Sequence, residues 1–431
     1  MGTFKSPKSV KNKPIKASND ILIYADFGCT TGFGNVAKEL VDRWSKEADK
    51  NTHFWIFALN NFEKEKYNYL PNVTVLPANI MPGASSDVYQ RAAFVSLFSS
   101  VHFNVIYLIN DIEVVGSISG DLVLSNADKK KKKLLQHKTI FYFPIDSIPR
   151  PKDLDFLQRF DEIATFTEYG KNVVETIAPI KVQQKIKVIT HGVSTKDFYK
   201  LPTEEAQSYK IKLFGEDKFV FGTVNRNSAR KDISTTILGF KKMMESNIPQ
   251  EIKNRFVLYC HCNPEDPAGP NLRLLLQRIG LEENKNVFFP KKFNENKGFS
   301  VSELNTIYNI MDVFITTSTA EGWGLTLTEA MATETLTISP FHTSFMEIVD
   351  GGRNTISLKT HETVFCHDGN KVRYKTTPLE VVKGMHWAAS NEVFEDEQKN
   401  QIIATALEKV KTYSWDATAD EFWKLISKYL K

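Results

Sequence analysis

Residues 312–330 read DVFITTSTAEGWGLTLTEA. An apolar run leads to an acid, then to two glycines around a tryptophan, then to a second apolar run and a second acid. One helix with two surface glutamates accounts for Glu329 but not for Gly322 and Gly324, because each glycine weakens a helix by roughly 1 kcal/mol. The stretch is therefore a strand, a loop over Glu321–Gly324 and a helix starting near Leu325. Strand–loop–helix is the repeating unit of a parallel α/β sheet.

The unit recurs towards both ends of the chain. ILIYAD (21–26) leads through a glycine loop into NVAKELVDRW (35–44). HFWIFAL (53–59), NVTVLP (72–77), NVIYLIND (104–111), TIFYFPID (139–146), IATFTEY (163–169) and KIKVITHGV (185–193) follow. Polar STKDFYKLPTEEAQS (194–208) reads as a junction. The pattern restarts with KFVFGTV (218–224), RFVLYCH (255–261), NVFFP (286–290), DVFITTS (312–318) and LTISP (336–340). Helices are predicted near 232–246 and 271–280, and over SELNTIYNIM, which Ser300 and Glu303 open with a capping box.

The fold class is α/β: two Rossmann-like, doubly wound parallel-sheet domains facing a central cleft. A flexible basic tail is predicted over 1–20, an N-terminal domain over 21–200 and a C-terminal domain over 210–410. The helical stretch 411–431 is expected to return to the N-terminal domain.

Composition excludes several functions. Among 431 residues, 42% are hydrophobic and 25% charged, as in ordinary globular proteins, and a net charge of +4 does not by itself imply nucleic acid. Apolar runs fall short of the roughly 18 residues of a membrane span, and no secretory segment follows the start, so the cytoplasm is the expected location. CHC (260–262) and CH (366–367) fit no zinc spacing, and no metal is expected. GFGNVA (32–37) matches a dinucleotide fingerprint, but a dehydrogenase needs an acid after the second strand, and HFWIFALNN ends without one.

A glycine loop entering a helix offers free N–H groups and the positive end of the helix dipole. A phosphate or pyrophosphate can rest against the backbone at Gly324, Leu325 and Thr326. Glu329, one turn in, can accept from a ribose hydroxyl pair, and Glu321 faces whatever lies beyond the phosphates. VNRNSARKD (224–232) adds Arg226, Arg230 and Lys231 at the end of the domain's first strand, where an anion carrying two phosphates needs full cations.

EGWGLTLTEAMATETLTIS resembles the GT-B glycosyltransferases, in particular family 4 of the group 1 type, in which two glutamates separated by seven residues flank a glycine loop. VNRNSARKDISTTILGF, KIKVITHGVSTKDF, TTGFGNVAKEL (30–40) and YSWDATADEFWKLI resemble other parts of that family in the same order. The resemblance implies a retaining, metal-independent transferase with no cofactor beyond its nucleotide-sugar substrate, the C-terminal domain binding that donor and the N-terminal domain the acceptor. Glu321, Arg226 and Lys231 become the catalytic candidates, with Arg226 and Lys231 on the donor diphosphate and Arg230 as an alternative holder. Glu329 would bind the ribose, and Gly324, Leu325 and Thr326 would offer backbone donors. Gly32 and Gly34 would let the N-terminal domain approach the diphosphate.

Asp146, where the family often has a His-Asp pair, is a donor-sugar candidate. His191, standing where the family has asparagine, is read as structural. DLD (153–155) is read as a solvated helix face. The acceptor stays open between glycan, lipid and protein. The alternatives are a DNA-modifying glycosyltransferase acting on a hydroxylated base and a non-catalytic nucleotide-sugar or glycan-binding protein. The basic tail and Lys129–Lys133 are candidates for peripheral contact with an anionic surface.

Overall fold

A computed structural model describes residues 19–29, 31–61, 70–80, 84–216, 218–291, 298–366, 371–390 and 393–430. Most of the basic tail lies outside them, although the first strand begins at Asn19, within the segment read as tail.

Two parallel sheets organise the chain. The first holds β1 (Asn19–Asp26), β2 (Thr52–Leu59), β3 (Val73–Pro77), β4 (Val105–Ile109), β5 (Lys138–Phe143), β6 (Glu162–Thr165) and β7 (Ile186–Val188), in the order 3-2-1-4-5-6-7. The second holds β8 (Phe219–Val224), β9 (Phe256–His261), β10 (Val287–Phe288), β11 (Val313–Ile315), β12 (Leu336–Pro340) and β13 (Ile356–Leu358), in the order 10-9-8-11-12-13. Both reverse direction beside their first strand, and such a switch point opens a crevice at the strand C-termini.

Period-two alternation explains why these strands read as unbroken apolar runs. In β1, Ile21 and Ile23 enter one core while Leu22 and Tyr24 enter another on the opposite face. In β5, Ile140 and Tyr142 separate in the same way from Phe141 and Phe143. Both faces are covered by helices, so neither set can be polar.

The helix Trp415–Ser427 lies on the first sheet's domain. The Trp44 indole donates to the Ala419 carbonyl at 2.9 Å, and the Phe422 ring meets Tyr107 and Tyr142 edge-on. Gly192 permits this contact: a Cβ there would fall 2.1 Å from the Trp415 nitrogen. His191 stacks on Trp415, and the Tyr142 hydroxyl donates to Ile189 O and so accepts from His191 Nδ1. Burial holds the imidazole near pKa 3, so it stays neutral.

Two local readings need correction. The helix after β1 starts at Gly32, not near Asn35, because Thr31 caps it: its hydroxyl accepts from Gly34 N–H and donates to Asp26. Gly32 and Gly34 thus sit in a helical first turn. Lys129 does not join an exposed basic run; its ammonium is buried and donates to Phe98 O at 2.9 Å, while Lys130–Lys133 remain exposed. An antiparallel hairpin, β14 (Glu362–Cys366) with β15 (Lys371–Lys375), lies outside both sheets.

Candidate active site

β8 and β11 are neighbours, so the loops leaving their C-termini meet. Thr319 bonds them together: its N–H and its hydroxyl both donate to the Arg230 carbonyl, at 2.8 and 2.9 Å. Thr317 donates to Asp232 O at 2.8 Å. Arg230 and Lys231 are thereby brought against Glu321. Arg230 Nη1 lies 3.0 Å from Glu321 Oε2, Lys231 Nζ bonds Oε1, and the Ser318 hydroxyl donates to Oε1 at 2.7 Å. Glu321 is only 6% exposed. Burial alone would raise its carboxyl, yet Arg230 and Lys231 hold it near pKa 2. Arg230 and Lys231 share this carboxylate, with Asp146 of the first domain as a further anion beside them, and the guanidinium and ammonium are the donors a phosphate group needs.

The two glycines of the opening stretch serve different ends. Gly324 has φ +115°, a conformation that favours glycine, and caps the helix Leu325–Ala332. A Cβ there would also strike the Phe345 ring at 2.6 Å. Gly322 is needed for closeness, since a Cβ there would lie 2.4 Å from Pro144 Cβ in the loop after β5. The N–H groups of Leu325 and Thr326, in the helix's first turn, precede its first internal bonds and are open to an anion. Across the cleft, a Cβ on Gly32 would lie 3.6 Å from Leu325 Cδ1, so the two domains' helix N-termini face each other.

Glu329 is half-buried in the same helix, where the Tyr308 hydroxyl donates to it at 2.6 Å. Burial lifts its carboxyl to about 7, with the Tyr308 bond opposing. Because the folded pKa lies above the unfolded value, its contribution to stability is full below about pH 4.5 and fades as pH rises through 7. Glu329→Gln should therefore gain about 1–3 kcal/mol on wild type between about pH 5 and pH 8. Urea midpoints at both pH values check this, and parallel behaviour of the two proteins would refute it.

Arg226 stands apart from the Glu321 cluster. Its guanidinium grips Asp266 through two bonds of 2.7 and 3.1 Å, and it is mostly exposed. Asp146 faces the cluster from the first domain. Despite burial it is held below the usual carboxylate range by Lys371, Arg230 and Arg373. Lys371 lies 3.4 Å from Asp146 and 3.3 Å from Glu113, so β15 reaches across the cleft. Sequence reading missed Lys371, Glu113, Tyr308 and Ser318. The alternation of ETVFC and KVRYK around Asp368-Gly369 is a hairpin signal that could have placed Lys371.

Residues 205–363 match the sequence profile described as Glycosyl transferases group 1. The match contains Arg226, Arg230, Lys231, Glu321 and Glu329. The chain is 28% identical over 213 residues to the alpha-monoglucosyldiacylglycerol synthase of Acholeplasma laidlawii, covering 46% of this chain and 50% of that protein. It is 24% identical over 265 residues to a probable sucrose-phosphate synthase of Thermosipho melanesiensis, covering 61% and 51% respectively. The chain thus spans about half the length of the curated relatives it matches.

Among solved structures, sucrose-phosphate synthase from Thermosynechococcus elongatus superposes with TM-score 0.68 at 13% identity, covering 95% of this chain and 98% of that one. Anabaena HepE, in a structure described as a complex with UDP-glucose, superposes with TM-score 0.63 at 16% identity, covering 95% and 99%. These neighbours share the two-domain GT-B fold. Among the described residues no helix is long and apolar enough to cross a membrane, and no group of three His, Cys, Asp or Glu side chains is placed to hold a metal ion.

Proposed function

We propose that this chain is a retaining, metal-independent family 4 glycosyltransferase that moves a sugar from a nucleotide-sugar to a hydroxyl of a glycan, lipid or protein. The observation that carries the reading is Glu321 held by Arg230 and Lys231 at the switch point of the second sheet, beside the open N-terminus of the helix Leu325–Ala332. In this reading Lys231, Arg230 and the backbone N–H groups of Leu325 and Thr326 take up charge as the nucleoside diphosphate departs. Glu321 orients the two cations and borders the transferred sugar, Glu329 takes the ribose hydroxyls, and Asp146 meets the sugar from the other domain. Arg226 is held by Asp266 through Nε and Nη2 and stands away from this group. The four cysteines are unpaired, which fits a reducing compartment such as the cytoplasm. Exposed Lys130–Lys133 are the part of the basic run able to meet an anionic surface.

A thermal-shift panel of nucleoside diphosphates and nucleotide-sugars tests the reading, with UDP and UDP-glucose first because they are the ligands named for HepE. One nucleotide series should stabilise the protein equally in Mg²⁺ and in EDTA, by about 2.7 kcal/mol at a hundredfold excess over Kd. The effect should vanish in Glu329→Ala. Stabilisation by none of them, or only by nicotinamide dinucleotides, would end the proposal.

A further inference from the structure

β13 already completes the second sheet, and the helix Pro378–Ala388 packs back on it, so the hairpin between them adds nothing to the doubly wound core. It is nevertheless firmly held. Tyr374 N–H donates to Thr319 O at 3.0 Å, two residues before Glu321, and Lys371 reaches Asp146 and Glu113 of the other domain. Between the hairpin and Tyr169 of the first domain lies a cavity of about 390 Å³, within the range of small-ligand sites.

Its walls have the chemistry of a sugar site. Tyr374 stacks on His342 with ring centroids 5.4 Å apart, Phe341 is 41% exposed at the edge, and His361 and Glu362 stand at the mouth. Aromatic faces take the C–H side of a pyranose, while hydroxyls and a carboxylate take its polar edge. Two wall oxygens, Tyr169 Oη and Thr360 Oγ1, are shielded from solvent and have no hydrogen-bond partner among the described residues. Such groups cost stability unless something satisfies them, and a polyol in this cavity carries hydroxyls of the kind they lack. The cavity also adjoins the Glu321 cluster: His342 Nε2 lies 3.0 Å from Ser318 O, and Thr343 Oγ1 accepts from Glu321 N–H at 3.2 Å.

We propose that this cavity between Tyr169 and the β14–β15 hairpin is the acceptor subsite and takes a neutral saccharide. The inference rests on the transferase reading above and selects the glycan among its acceptors. Since Tyr169 comes from one domain and the remaining wall from the other, the subsite exists only when the domains meet, and a bound sugar would favour that closed arrangement.

Calorimetric titration of the full chain with glucose, maltose and trehalose, each with and without saturating nucleoside diphosphate, tests the inference. At least one saccharide should bind, and Tyr169→Phe and Thr360→Val should each weaken it about tenfold while nucleotide affinity stays unchanged. The unliganded variants should melt no lower than wild type, because each loses an unsatisfied hydroxyl; a role in folding alone would instead lower the melting temperature. Nucleotide binding without any saccharide binding, or saccharide affinity indifferent to both variants, would overturn the subsite and leave the donor reading standing. Failure of nucleotide binding would remove the reading on which it rests.

Discussion

Lys231→Ala should lower turnover by about 10²–10³-fold, the cost of losing a preorganised charge-stabilising group. Two effects combine. On the proposed reading, the departing diphosphate would lose a compact cation beside it. Glu321 also loses one of the two cations that offset its burial, so its carboxyl rises from about 2 and no longer fixes Arg230 as firmly. Arg230 still faces Glu321, so the fold should lose less than the roughly 3–5 kcal/mol of a buried charge left without a partner. Arg226→Ala should cost less turnover, since that guanidinium is engaged with Asp266 at the second domain's rim. Steady-state donor consumption, with melting curves of all three proteins, checks the ranking. Turnover of Lys231→Ala within about threefold of wild type would exclude Lys231 from the chemistry.

The ranking departs from what the sequence suggested, and the reason is physical. Arg226, Arg230 and Lys231 are equivalent as a cluster of cations after a strand, but their partners lie far along the chain. Asp266 belongs to the loop after β9, and Glu321 to the loop after β11. Local pattern cannot say which acid captures which base. It does well where a residue's environment is set by its neighbours. The apolar runs of β1, β5 and β8 are legible because burial on both faces demands them. The Ser300–Glu303 capping box forms as its spacing predicts, and the helix after the glycine loop starts at Leu325 because Gly324 takes a positive φ.

Gly32 misleads for the opposite reason. Glycine lowers helix propensity, but the Thr31 cap and the close approach of Gly34 to Cys29 O decide the conformation. Lys129 misleads because a lysine's position in a run says nothing of whether carbonyl oxygens wait behind it. The hairpin escaped because its half-exposed strands alternate and lack the unbroken apolar runs that mark the two covered sheets. With it went Lys371, the basic residue that spans the cleft to Asp146.

Gly322→Ala should reduce turnover by about 100-fold while leaving each domain folded. The added methyl would lie 2.4 Å from Pro144 Cβ, a contact no real Cβ pair sustains. The proline ring cannot swing aside as the end of a long side chain can, so one of the two loops must retreat by about 1 Å or more. A misplacement of that size is enough for a loss of about 10² where reacting groups must be held within bonding reach. The φ of Gly322 is not in the left-handed region, so alanine strains no backbone there and the effect arises at the domain contact.

The site elements of the second domain, Gly324, Leu325, Thr326 and Lys231, do not depend on Pro144. Nucleoside diphosphate should accordingly bind within a few-fold of wild type, and kcat should carry the loss. Pro144→Gly in the Gly322→Ala background, which removes the opposing Cβ, should restore part of the turnover. If Gly322→Ala alone kept wild-type kcat, the contact between the two loops would have no part in aligning Asp146 with Glu321.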